Sequence, residues 1–336
     1  MKQWKHPRIL ALFQDSCLGS EPGRPRPESS LLRLAIARMD FLRSHEKLLL
    51  SRAIGSALEL ASLGLWELEG IILRSLNGEV WNPALCVEQA RRDEEFLAQR
   101  GIAFVSVEDS SYPPQLRETY RPPFGLYLRG RLPDAEIPCI ALVGTRAATG
   151  RGLRAAYGLA EELSSKGISV VSGLALGIDS AAHRGALRGR AKTMAVLPGG
   201  MDSVYPASNR SLAARILDEG GALITENPPQ TQIRRYRFPE RNRIIAGLAR
   251  SCVVIEAPEG SGALITAEHA LSEGRDVFVH RACLGGSRSS GCAALVDQGA
   301  VAVAAAEDII AEWTSCGGRS EEAPAAGQGE EMKQHG

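Results

Sequence analysis

Short apolar runs recur through the second half of the chain, at 140–143, 168–172, 193–197, 222–225, 252–255, 277–279 and 300–303, with helix-length segments between most of them. Each run is continuously apolar, so each belongs in a strand buried on both faces. Strands separated by helices pair in parallel, with the helices covering the sheet. Two further strands come earlier, at 102–107 and 124–128, the second ending at Arg129-Gly130. The expected fold class is α/β, an extended Rossmann-like, doubly wound and mostly parallel sheet of about nine strands. Glycine is abundant at 35 residues and aromatics are scarce at 5%, as many strand-to-helix turns require.

Upstream the period changes. From about 31 to 99 the apolar spacing is helical, broken at Gly55, Gly64, Gly70 and Asn77-Gly78, which predicts a small all-α domain of four or five helices. Residues 1–30 are expected to be a disordered extension, because Gly19-Ser-Glu-Pro-Gly-Arg-Pro-Arg-Pro-Glu-Ser-Ser30 cannot bury a core. Residues 101–314 then form the sheet domain, and 315–336 a disordered tail. The seven cysteines include no CxxC pair, and several fall in apparent strands, which suits reduced thiols in a cytoplasm. Cys283, Cys292 and His280 lack the spacing of a zinc module, so no metal or other cofactor is expected. No stretch approaches the ~20 apolar residues of a membrane span.

Formal net charge is zero, so any polyanion site must be a local patch. One such patch is residues 234–249, Arg-Arg-Tyr-Arg-Phe-Pro-Glu-Arg-Asn-Arg-Ile-Ile-Ala-Gly-Leu-Ala. Pro239 suits a first helical position, leaving Phe238 extended before it, and Ile244, Ile245 and Leu248 make a buried stripe. Arg234, Arg235, Arg237, Arg241 and Arg243 then crowd a helix N-terminus whose own partial charge is already positive. An anion between the guanidinium groups and the free N–H groups resolves that conflict, and Tyr236 and Phe238 offer rings on which a base stacks. The competing reading is a solvated loop whose arginines pair with nearby carboxylates.

Ligands of open parallel sheets bind beyond the carboxyl ends of the strands. Those ends carry Gly144-Thr145-Arg146, Ser172-Gly173, Pro198-Gly199-Gly200, Thr225-Glu226-Asn227, and Glu256 leading to Gly260-Ser261-Gly262. Small residues and arginines together describe an anion site. It is neither GxGxxG nor a P-loop, and no acidic residue ends the second strand of the parallel run to hold a ribose, which argues against bound NAD or hydrolysed ATP. Asp179 and His183 share a helix face as a base and its orienter would, but a capping Asp and a packed His are the preferred account. Asp202 and Asn209 brace a loop by the same reasoning.

Long motifs in fixed order resemble the DNA-processing protein A (DprA, or Smf) family from about residue 100 to 310. They are Val143-Gly-Thr-Arg146, Ser172-Gly-Leu-Ala-Leu-Gly-Ile-Asp-Ser-Ala-Ala-His183, Gly199-Gly-Met-Asp-Ser-Val-Tyr-Pro206, Phe238-Pro-Glu-Arg-Asn-Arg-Ile-Ile-Ala-Gly-Leu248 and Gly274-Arg-Asp-Val-Phe278. The resemblance implies a SAM-like helical domain before an extended Rossmann domain. It also implies a homodimer that binds single-stranded DNA without catalysis, protects incoming strands in natural transformation and helps load the recombinase RecA. By motif position Arg146 grips phosphate, Arg235 replaces the family's basic phosphate contact, and Phe238 stacks on a base. Gly144, Thr145, Gly173, Arg234, Arg241, Asn242, Arg243, Ser261 and Gly262 shape or contact the same groove.

The chain departs from the family at His280-Arg-Ala-Cys-Leu-Gly-Gly286, where Pro-Gly is usual, and at Gly291-Cys-Ala-Ala-Leu-Val296. It also stops before any C-terminal winged helix. Two other functions stay open: a nucleotide N-glycosidic-bond hydrolase of related fold, and a recombinase scaffold with no DNA affinity. Against the first, Pro198-Gly-Gly-Met-Asp-Ser-Val-Tyr205 lacks that family's Gly-Thr and its glutamate.

Overall fold

The computed structural model describes residues 27–77 and 81–317, so the tails expected at the two ends lie largely outside it. Five helices come first: α1 Pro27–Ala37, α2 Ser44–Ala53, α3 Ala57–Ala61, α4 Leu65–Ile72 and α5 Pro83–Arg100. The first begins at Pro27, inside the stretch expected to be a disordered extension, because Leu31, Leu32, Leu34, Ala35 and Ile36 that follow supply a face to bury. Helix α5 has clear ends. Asn82 accepts a hydrogen bond from the Leu85 N–H, Pro83 takes the first turn, and Gly101 closes the helix at φ 59°.

The bundle does not close on itself. Leu34, Leu50, Leu60 and Leu68 are fully buried in a core that runs on through Ile102, Phe124 and Tyr127 of the sheet domain. The bundle thus covers an edge hairpin that would otherwise be exposed. Arg33 donates to Asp109 at 2.7 Å across the boundary, and Arg38, paired with Asp93, reaches the Pro229 carbonyl at 3.3 Å.

The nine strands are β1 Ile102–Ser106, β2 Gly125–Gly130, β3 Cys139–Val143, β4 Ser169–Ser172, β5 Thr193–Val196, β6 Ala222–Thr225, β7 Ser251–Val254, β8 Asp276–His280 and β9 Val301–Val303. They form one sheet in the order β1-β2-β6-β5-β4-β3-β7-β8-β9. All pairs from β6 to β9 are parallel, and β2 runs antiparallel to both β1 and β6. The connecting helices are α6 Pro114–Arg117, α7 Gly150–Ser165, α8 Ile178–Ala186, α9 Arg210–Asp218, α10 Arg237–Leu248, α11 Gly262–Ser272, α12 Ser290–Asp297 and α13 Ala306–Gly317. One face of the sheet packs Ile140 and Leu142 against Leu159 of α7 and Ile178 of α8. The other packs Ala141, Val143 and Val171 against Ile244 and Ile245 of α10. Strand order reverses at β3 and β7, and this places the ligand edge of the sheet.

Candidate nucleic-acid interface

The crevice at the reversal point is filled by the protein itself. The Thr145 N–H donates to the Glu256 carbonyl at 2.7 Å, and the Thr149 N–H donates to the buried Glu256 carboxylate at 2.8 Å. A Cβ on Gly144 would lie 2.5 Å from Ile178, and one on Gly152 would meet the Glu256 carboxylate. Glycine is needed at both because two loops close over the strand ends.

An opening lies one step along, above β4 and β5. A shallow pocket of about 40 Å³ is lined by Arg146, Gly173, Leu176, Tyr205, Phe238 and Arg241 among others. The exposed Arg146 guanidinium lies 4.8 Å from the Phe238 ring centroid, and Tyr205 meets Phe238 edge-on at 5.8 Å. Phe238 is half-buried and lies in none of the core clusters. Its backbone differs from the sequence expectation. Helix α10 starts at Arg237, so Pro239 is its third residue and Phe238 is helical. The missing proline N–H would have had no partner within the helix at that position either, so it costs no hydrogen bond.

Arg241 stands beneath the pocket. It is 5% exposed, it donates to the Val196 carbonyl at 2.8 Å, and a Cβ on Gly173 would fall 1.9 Å from its guanidinium. Burial pushes its pKa down to about 10, Asp179 opposes that shift, and Arg146 adds to it. Two cations therefore repel each other across one pocket. Asp179 is buried behind them. Desolvation raises its carboxyl above the usual range, against the field of Arg241 and hydrogen bonds from Ala175, Gly173 and Ser172. His183, pushed down to about 3 by burial and Arg241, bonds Thr193 Oγ1 at 2.8 Å through Nδ1. Thr193 gives its own proton to the Val170 carbonyl, so Nδ1 carries the imidazole hydrogen and the buried Nε2 has no partner. The packing account of Asp179 and His183 fits this geometry.

The other expected site residues divide. Arg234 and Arg235 are exposed on the loop before α10, and among the described residues neither pairs with a carboxylate. Thr145 is buried, and its hydroxyl accepts from the Ala147 N–H at 3.3 Å. Asn242 does not line the pocket. It donates to the Gly262 carbonyl at 3.1 Å, beside Ser261 as the N-cap of α11, and so joins α10 to α11. Arg243 is also turned away, bonded to the Glu226 and Glu240 carboxylates and to the Arg121 carbonyl. Sequence reasoning had Pro198 at a strand end but missed Leu176 and Tyr205 as lining residues, although both lie close to the small-residue loops there.

The polar side chains expected to brace the loops near the edge have structural partners. Asp202 accepts from the Gln230 N–H at 2.7 Å, and Asn209 donates to the Leu174 carbonyl at 2.8 Å. Among the described residues no cluster of three His, Cys, Asp or Glu side chains could hold a metal, and no helix is long and apolar enough to cross a membrane. Within the altered segment His280 accepts from the Ala282 N–H at 3.2 Å.

The fold and pocket define a Rossmann-like protein with a cationic, ring-bordered pocket on its strand-end edge. A family model, DNA recombination-mediator protein A, matches residues 103–314. The chain is 38% identical over 235 residues to DNA processing protein DprA of Streptococcus pneumoniae, covering 69% of this chain and 83% of that one. It is 38% identical to Protein Smf of Escherichia coli, covering 64% of this chain and 58% of that one. The X-ray structure of the S. pneumoniae protein superposes with a TM-score of 0.67 at 32% identity, over 86% of this chain and 99% of that one. A structure addressing the single-stranded DNA binding mode of DNA processing protein A from Helicobacter pylori gives 0.57 at 25%, over 64% and 96%. The chain belongs to the DNA recombination-mediator protein A family, also known as DprA or Smf.

Proposed function

We propose that this protein binds single-stranded DNA without sequence preference, as a non-catalytic dimer that protects incoming strands and helps load RecA. The observation that carries the reading is the stack at the pocket mouth. Arg146 has no carboxylate partner among the described residues, lies over the Phe238 ring, and faces the buried cation Arg241. A strand offers a phosphate to the guanidinium and a base to the ring, and it relieves the repulsion between the two cations. The groove presents no element shaped to read a duplex. Against a hydrolase reading, the Glu256 and Asp202 carboxylates near the strand ends are both used in holding loops.

The test is fluorescence anisotropy with oligo-dT, duplex DNA and a salt titration. Preferential single-strand binding, with a slope of log affinity on log salt of about −0.7 per phosphate contact, is the expected result. Duplex preference, or binding indifferent to salt, would overturn the reading. No binding at all, alongside capture of RecA, would favour the scaffold. Release of base from a nucleoside monophosphate would favour the hydrolase.

A further inference from the structure

A second cavity lies on the far side of residues 236–238, between the helical bundle and the sheet. It measures about 330 Å³, within the size range of small-ligand sites, and the Phe238 pocket measures only about 40 Å³. Phe41, Arg43 and Lys47 of the bundle face Arg121, Phe124 and Tyr236 of the sheet domain across it. Three carboxylates also line the cavity, but each is already answered. Asp40 pairs with Arg237 at 3.0 Å, Glu226 with Arg243, and Glu240 with Arg243 at 3.4 Å and Arg121 at 3.6 Å. Among the described residues no carboxylate pairs with Arg43 or Lys47. Lys47 donates one hydrogen bond, to the Ala37 carbonyl at 2.7 Å, leaving two of its three N–H donors for a ligand. Burial pushes its ammonium below the ordinary lysine value, against the fields of Asp40 and Glu226, and an anion arriving beside it would add to those fields.

The lining thus combines two cations that make no salt bridge, the exposed Tyr236 ring and an open volume, which is the chemistry of a nucleotide unit. Its position says where that unit comes from. Tyr236, 57% exposed, lines this cavity, and Phe238, two residues on, lines the first pocket. Residues 236–238 thus border both openings, and a strand crossing them from Phe238 would reach the cavity at Tyr236. We propose that the junction cavity is a second nucleotide subsite, in which Arg43 and Lys47 of the helical bundle hold the strand after it leaves the Phe238 pocket. The proposal rests on the single-strand reading and gives the bundle a direct part in it.

The test measures binding of an oligo-dT ladder from about 4 to about 16 nucleotides to the parent protein, Arg43→Glu, Lys47→Met and Phe238→Ala, with melting temperatures recorded beside it. Arg43 is exposed, so its variant keeps the fold; Lys47→Met keeps the aliphatic stem and removes the charge. Each of these two should weaken the longer oligonucleotides about tenfold, reduce the salt slope by about 0.7, and leave the shortest nearly unchanged. Phe238→Ala should weaken every length. Parent-like affinity of both bundle variants at all lengths would overturn this proposal and leave the function standing. Failure of the parent to bind any oligonucleotide would overturn the function itself. Binding of free dTMP that Arg43→Glu abolishes, with oligonucleotide affinity unaltered, would assign the cavity to a mononucleotide and also overturn the proposal.

Discussion

Arg241 and Arg243 stand two residues apart on α10, and their surroundings differ in kind. Arg241 is buried under the pocket with one backbone hydrogen bond and the field of Asp179 behind it. Arg243 turns toward the bundle and is bonded to two carboxylates and a carbonyl. Successive odd positions on a helix are about 200° apart, so an arginine-rich segment is split between two faces. Of the two, only Arg241 makes no salt bridge among the described residues, and its side opens on the pocket beside Phe238. The segment thus holds two arrangements, a buried arginine bonded only to a backbone carbonyl and an arginine bonded to carboxylates, two residues apart.

The sharpest way to break this comparison is to remove Arg241. Arg241→Ala leaves Asp179 buried without its nearby cation, and should cost about 3–5 kcal/mol of stability, read by urea denaturation. Adding Asp179→Asn should recover part of that loss. If the single variant is as stable as the parent, the buried cation is not holding the floor of the pocket.

Acid titration probes the same floor. His183 has its folded pKa pushed from 6.5 down to about 3, so its neutral form contributes stability that is present above about 6.5 and is lost as pH falls toward 3. The slope is about 1.4 kcal/mol per pH unit in that window, partly offset by the raised carboxyl of Asp179. His183→Gln should flatten the acid limb of a melting-temperature profile. An unchanged limb would show that His183 is not desolvated as the structure has it.

At the mouth of the pocket the two kinds of contact should separate. Arg146→Ala and Arg235→Ala should each weaken oligo-dT by about 1–3 kcal/mol and lower the salt slope. Phe238→Ala should weaken it by a similar ~1–3 kcal/mol with the slope nearly unaltered, since stacking releases no counterion. A fall of several kcal/mol in folding stability for Phe238→Ala, with DNA affinity intact, would place the ring in the core instead.

The smallest effect on DNA binding belongs to the other face. Arg243→Gln should cost about 1–3 kcal/mol of stability, because it leaves the mostly buried Glu226 carboxylate without its partner, and it should leave the salt slope alone. A reduced slope in this variant would erase the distinction between the two faces.

The strands were legible in the sequence because a parallel strand buried on both faces must be apolar throughout. All nine appear within one or two residues of their expected limits. The stripe Ile244, Ile245 and Leu248 was legible for the same reason, and it is buried. The start of α10 was misplaced because Pro239 marks only a permissible early position, and the chain fits two more residues ahead of it. The extension expected before residue 31 gave way at Pro27, where composition suggested disorder but the following apolar face gave the helix something to pack on.

Side-chain direction within the ligand edge was beyond the sequence. Residue types at the strand ends announced an anion site, but nothing local says that Glu256 closes the reversal-point crevice and moves the opening toward β4 and β5. Nor does local sequence show that Asn242, Ser261 and Gly262 tie two helices together away from the pocket. Sequence alone determined which segments are apolar enough to be buried and where cations are concentrated, because hydrophobic period and charge are properties of consecutive residues. Tertiary structure alone decided which cations found carboxylates, since Arg237 meets Asp40 and Arg243 meets Glu226 across long stretches of chain. Pairing is a matter of distance in space, and that is fixed only when the sheet, its helices and the bundle pack together.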